Sequence, residues 1–183
     1  MAELTKEEKE QLLWIARKSI ETYLSTGRIP DFSVESPALK EKRGAFVTLK
    51  KNGMLRGCIG LIYPLKPLYQ AVAEMAIAAA VDDPRFPPLS LDELPYVEIE
   101  ISVLSPLERV KDIEEIEVGK HGLYIRKGPF SGLLLPQVAT EYNWDRETFL
   151  QHTCLKAGLP TYAWQEDDTE IYKFTAEVFS EEK

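Results

Sequence analysis

The sequence predicts an α+β fold, with helices packed on a mixed or antiparallel sheet and a smaller lobe beside the main one. Three observations carry that expectation. Val97, Ile99, Ile101 and Val103 alternate with Glu98, Glu100 and Ser102, the period of a half-buried strand. Asn52-Gly53 stands between two apolar runs, and these two residue types accept the positive φ that a tight hairpin turn demands. Residues 5–26 and 68–81 instead repeat apolar side chains at helical spacing.

Taken in order, Thr5 and Glu8 have the spacing of a capping box and open a helix to about Thr26, which Gly27 and Pro30 stop. Its Leu12, Ile15, Ala16, Ile20, Tyr23 and Leu24 share a face. Residues 28–43 read as a connection. Gly44 to Lys50 and Met54 to Ile62 form the hairpin around Asn52-Gly53, and Pro64 and Pro67 open a second, alanine-rich helix to about Val81. Asp82-Asp83-Pro84-Arg85-Phe86-Pro87-Pro88 is a loop that its three prolines make stiff. After the strand at 97–103, a short helix is expected around Ile113. Gly122 to Lys127 and Gly132 to Leu135 then form a hairpin turning at Gly128-Pro129. Helices near 137–141 and 145–157 precede a last strand from about Ile171 to Phe179, with Tyr172, Phe174, Ala176 and Val178 inward. The expectation is one domain over 1–183, its smaller lobe within about 105–142.

The 183 residues carry a net charge of −8, which opposes non-specific nucleic-acid binding because such binding neutralises phosphates with Lys and Arg. The beginning, MAELTKEEKE, has no basic stretch followed by an apolar one, and residues 71–81 are too short to span a bilayer. These features point to a cytoplasmic protein with no membrane partner. Two cysteines, Cys58 and Cys154, suit a reducing compartment better than a disulfide. No glycine-rich phosphate loop and no dinucleotide fingerprint occurs. His152 and Cys154 lie too far around a helix to share a metal, so no metal site is expected and no cofactor is assigned.

LRGCIG at 55–60, DPRFPPL at 83–89, ELPYVEIEISVLSP at 93–106, VGKHGLYI at 118–125 and LLPQVA at 134–139 follow one another in the order found in the AMMECR family. The chain resembles that family from about Thr5 to Phe179, and especially its bacterial and archaeal members, called AmmeMemoRadiSam system protein A. The resemblance implies a cytoplasmic α+β protein with two lobes, and a genomic association with a Memo-like protein and a radical S-adenosylmethionine (radical SAM) protein. The chain itself lacks the three-cysteine cluster of a radical SAM enzyme. The resemblance brings no established activity; modification of RNA or of a small substrate is the class it suggests.

Site candidates come from the residues' own chemistry. Alternation along a strand puts Arg56 and Cys58 on one face, where a guanidinium favours the nucleophilic thiolate, while Gly57 and Gly60 leave room for a ligand to approach. Cys58 is thus a candidate catalytic residue, and Arg56, Gly57, Gly60 and Arg85 candidate substrate-binding ones. Set against this, a cysteine can be a small core hydrophobe and a strand glycine a bulge. Arg85 presents a fork suited to carboxylate or phosphate, or else pairs with Asp82 or Asp83, with Phe86 anchored in the core. His121 titrates near neutrality and is the second catalytic candidate, or a turn histidine donating to backbone. Glu100 either joins the pocket or is solvated. The three tryptophans read as packing groups. Two functions stay open: an enzyme or enzyme subunit acting on a small anionic, nucleotide-like or RNA-related substrate, or a non-catalytic ligand-binding or adaptor module serving Memo-like and radical SAM partners.

Overall fold

The structure, a computed structural model, describes residues 3–181. Helix α1 (Lys6–Thr26) begins at the expected capping box: the Thr5 hydroxyl accepts from the Glu8 amide, and the Glu8 carboxylate accepts from the Thr5 amide. It ends at Gly27, whose φ of 74° lets its N–H reach the Tyr23 carbonyl. After the single turn α2 (Pro37–Lys40), strands β1 (Ala45–Lys51) and β2 (Met54–Leu61) pair antiparallel. Asn52 and Gly53, at φ 54° and 75°, form the turn between them. Helix α3 (Leu68–Val81) then leads through the proline loop to β3 (Val97–Leu104).

The chain divides into two compact units, one running to Leu104 and resuming at Glu177, the other Ser105–Ala176. The first holds a sheet in the order β2-β1-β3-β8, where β8 is Ala176–Ser180. Val47, Leu49, Ile99 and Ile101 pack from one face of it against Leu12, Ile15, Ile20, Leu68, Val72 and Ala76 of α1 and α3. Register fixes the opposite face: Cys58 is directly across from Thr48, and Thr48 from Glu100. Glu181 ties the end of the chain to this unit. Its carboxylate accepts from Arg17 Nε and Nη2, at 2.6 and 2.7 Å, and from the Ile99 amide at 2.9 Å. That pairing raises the Arg17 pKa above its ordinary value.

The second unit holds β4 (Glu108–Arg109), β5 (Gly122–Lys127), β6 (Phe130–Leu134) and β7 (Glu170–Phe174), in the order β4-β7-β5-β6. Helices α4 (Pro136–Glu141) and α5 (Arg146–Lys156) complete it, with a 3₁₀ turn at Ile113–Glu115. Leu123, Ile125 and Ile171 meet Phe149, Leu150 and Cys154 in its core. The contacts that define this unit carry it to Ala176, well past 142.

Two expectations are corrected. The last strand is two strands in two sheets, because Thr175 leaves the ladder: its amide donates to Ser105 Oγ and its carbonyl accepts from the Ser105 amide, both at 2.8 Å. Alternation therefore restarts, so Val178 is exposed and Phe179 packs on the core. Trp14 is 58% exposed, lying edge-on to Phe32 at the surface of α1.

What brings α3 against the hairpin is the missing side chain of Gly57. A Cβ there would stand 2.1 Å from the Ala79 carbonyl oxygen. Gly57→Ala should therefore destabilise the fold by about 1–3 kcal/mol, the usual cost of overpacking. The urea midpoint reads the loss, and an unchanged midpoint would mean that α3 yields freely.

Candidate functional site

Strand β2 is an edge strand, and its pairing slips by one residue where Leu49 faces Gly57 but Lys50 faces Leu55. Arg56 is the extra residue of this bulge, so strict alternation does not set its direction. Its guanidinium forks onto Glu93, with Nε 2.8 Å from Oε2 and Nη2 3.2 Å from Oε1. Lys51 Nζ joins the same carboxylate at 3.1 Å. Arg56 first, then Lys51, holds the Glu93 carboxyl below its ordinary pKa. The third guanidinium nitrogen of Arg56, Nη1, is buried and accepted by no group among the described residues.

Cys58, two residues on, has a different guanidinium for company. Its amide, on the open edge of the sheet, donates to Asp83 Oδ2 at 3.0 Å. The same carboxylate takes Arg85 through its amide (3.0 Å), Nε (3.0 Å) and Nη2 (2.7 Å). The Asp83 side chain is only 2% exposed, and these donors, Arg85's foremost, hold its carboxyl far below the usual carboxylate range. Arg85, 48% exposed, has its own pKa raised, chiefly by Asp83 and in smaller part by Cys58. The Cys58 sulfur stands 3.1 Å from the Thr48 hydroxyl on the neighbouring strand. Thiol, hydroxyl and the Glu100 carboxylate thus form a row across three strands, and Glu100 pairs with Lys50 at 3.4 Å.

Between the two arginines lies Phe86. The Arg85 and Arg56 guanidinium carbons sit 5.5 and 6.0 Å from its ring centre, within cation–π range. Phe86 is half-buried under these charges and is not a core anchor, which corrects the reading of the loop. Neither flanking glycine opens onto empty space: Ala79 fills the space beside Gly57, and the Phe46 ring lies where a Cβ of Gly60 would be, at 2.2 Å. Their lack of a side chain serves packing.

His121 belongs to the second unit, whereas Arg56, Cys58 and Arg85 belong to the first. Its Nδ1 accepts the Glu117 amide at 3.0 Å while its own amide donates to the Glu117 carbonyl, closing the turn at Gly119. The ring is thus the acceptor in its turn, and an acceptor nitrogen must be unprotonated. Burial first, then Lys173 and Lys120, pushes its pKa below the ordinary value. Cys154 is fully buried, and burial pushes its thiol pKa up; both cysteines are thiols. Among the described residues no three His, Cys, Asp or Glu side chains converge as metal ligands would, and no helix is long and apolar enough to cross a membrane.

Thr48 is the member of the cluster that spacing alone does not single out, and Asp83 enters the sequence reading only as one of two acids that could pair with Arg85, not as the partner of the Cys58 amide. A hint existed for Asp83, since an acid two residues before Arg85 on a proline-stiffened loop can fold back onto it. Asp83→Asn should cost about 2 kcal/mol, the order of charge-assisted bonds lost from a buried acceptor. It should also broaden the Arg85 side-chain NMR signals, and a sharp, unshifted Arg85 Nε–Hε resonance would contradict the geometry. For His121 the folded pKa is the depressed one, so the neutral ring's share of stability is whole above about pH 6.5 and declines as pH falls below it. A ring-proton titration midpoint at or above that of a denatured-state histidine would refute this.

The AMMECR1 family model matches residues 13–179. PF1979 of Pyrococcus furiosus is 50% identical over 184 residues, covering 94% of this chain and 88% of that protein. MK0488 of Methanopyrus kandleri is 49% identical over 189 residues, covering 98% and 91%. The crystal structure of PH0010 from Pyrococcus horikoshii matches with a TM-score of 0.95 at 47% identity, over 98% of this chain and 94% of that one. The match spans both units and every element that builds the Cys58 corner, and the chain belongs to the AMMECR1 family.

Proposed function

We propose that the corner formed by Cys58, Arg85, Asp83 and Thr48 is a thiol-centred site for a small anionic or nucleotide-like substrate, and that the protein acts as an enzyme or as the substrate-handling subunit of one. One observation carries the reading. A single buried carboxylate, Asp83, binds both the Cys58 amide and the half-exposed Arg85 guanidinium, fixing a positive charge beside a thiol that a hydroxyl also contacts. Such surroundings favour the thiolate, the reactive form. Arg85 has donors left to meet an anion, and Arg56, spent on Glu93, shapes the floor with Phe86. In this reading His121 has no part in proton transfer, because its acceptor nitrogen is already used.

A second reading, a non-catalytic ligand-binding or adaptor module for Memo-like or radical SAM partners, draws on a different fact. Both guanidiniums of the cluster are matched by internal carboxylates, which suits recognition as well as it suits turnover. Iodoacetamide separates the two. The thiol reading expects Cys58 to be alkylated at neutral pH faster than a cysteine in the denatured chain, with buried Cys154 as internal control. Arg85→Gln should slow that reaction about fivefold, equivalent to roughly 1 kcal/mol of attraction near a protein surface. Labelling of Cys58 no faster than in the denatured chain would leave the binding-module reading standing.

A further inference from the structure

The second unit carries a cluster of paired arginines on the sheet face opposite α5. Tyr172 on β7 lies directly across from Arg109 on β4 and from Tyr124 on β5, and the neighbouring pair is Glu170 with Arg126. Because β4 and β5 flank β7, the two arginines reach the Tyr172 ring from opposite strands. Their guanidinium carbons stand 5.7 and 6.0 Å from its centre. A ring so flanked is a spacer holding two guanidiniums at a fixed separation, and it leaves little open face for a base to stack on.

The carboxylate of Glu170 completes the group. It accepts the Tyr172 hydroxyl at 2.8 Å and Arg109 Nη1 at 3.3 Å on Oε1, and Arg126 Nε at 2.9 Å on Oε2, where Arg126 Nη2 also makes an ion pair at 2.9 Å. Two guanidiniums share this one carboxylate, in a chain whose net charge is −8. Lys127 adds nothing, since Glu166 and Asp168 neutralise it. Arg109 and Arg126 are 49% and 42% exposed, and Glu170 is 32% exposed, so the group is open to solvent while its members are held in place.

We infer that Arg109, Arg126 and Tyr172 form a binding site for a small oxyanion, a phosphate ester or a carboxylate, and that Glu170 occupies it as an internal stand-in. Two guanidinium forks at a set spacing match the oxygens of such a group. Glu170 shows the geometry that a bound anion adopts, and it competes with that anion. Binding here does not depend on the chemistry proposed for Cys58.

The competition gives the test its sign. Sodium phosphate and, separately, sodium acetate are titrated into the full-length protein at constant ionic strength, and arginine Nε–Hε signals are followed by NMR. The Arg109 and Arg126 signals should move saturably, while those of exposed Arg28 serve as control. The anion with the lower midpoint identifies the class, phosphate ester or carboxylate. Arg109→Gln, on a two-residue surface strand, should weaken binding about fivefold, and Glu170→Gln should strengthen it by a similar factor by removing the competitor. Should Glu170→Gln not fold, Tyr172→Phe, which frees one oxygen of Glu170 to compete harder, should weaken binding. Shifts that stay linear and equal to those of Arg28, a midpoint that Arg109→Gln leaves unchanged, or a Glu170→Gln variant that binds less tightly would each overturn the assignment.

Discussion

A carboxylate taken almost wholly out of water has to be answered by donors, and the way Asp83 is answered organises the first unit. One oxygen takes the amide of Cys58 at the edge of β2, and the pair together takes the backbone and fork of Arg85. An edge strand otherwise offers unpaired amides to any passing strand. Here the loop after α3 closes one of them with a side chain, and the bulge at Arg56 disturbs the ladder just beside it. The contact is within reach only because α3 lies so close to β2, and that closeness requires a residue without a side chain at position 57. Packing, edge protection and the placement of a charge beside a thiol therefore follow from one short stretch of chain.

This dependence explains which parts were legible in the sequence. The helix caps, the Asn-Gly turn and the alternating strand are local: each is settled by residues within a turn or two of one another, and the structure has them where the sequence puts them. The Arg56–Cys58 pairing was an inference of the same local kind, and it met a non-local event. A bulge depends on what the partner strand does at Leu49 and Lys50, and nothing in LRGCIG states it. The guanidinium in electrostatic contact with the sulfur comes from residue 85, brought there by the helix and loop between. The break at Thr175 is similar: the tail reads as one strand, and only Ser105, seventy residues earlier, takes Thr175 out of the ladder.

The glycines show the other side of the same rule. A glycine within a strand announces a close approach but not what approaches. Gly57 meets a helix carbonyl, Gly60 and Gly122 each meet an aromatic ring, and Gly132 meets the backbone of the turn after α5. Four strand glycines thus mark four packing contacts. His121 likewise kept its turn position while its hydrogen bond ran in the opposite direction, its Nδ1 accepting the Glu117 amide.

The two units, unrelated in connectivity, reach one electrostatic solution. Phe86 carries Arg56 and Arg85, and Tyr172 carries Arg109 and Arg126, each set closed by internal carboxylates. In a chain of net charge −8, isolated arginines would be drawn to whichever acid lay closest, sampling many partners at small individual gain. A ring face and a bidentate carboxylate remove that freedom, so the rotamer entropy that an anion would otherwise have to overcome is already spent in folding. On the proposed readings, an arriving anion would exchange one carboxylate partner for another without having to order a mobile side chain. Affinity at such a place is set by the difference between two similar interactions and is therefore modest, while the geometry offered to the anion is sharply defined. That combination fits the proposed readings, in which a small charged group is held in one orientation and then released.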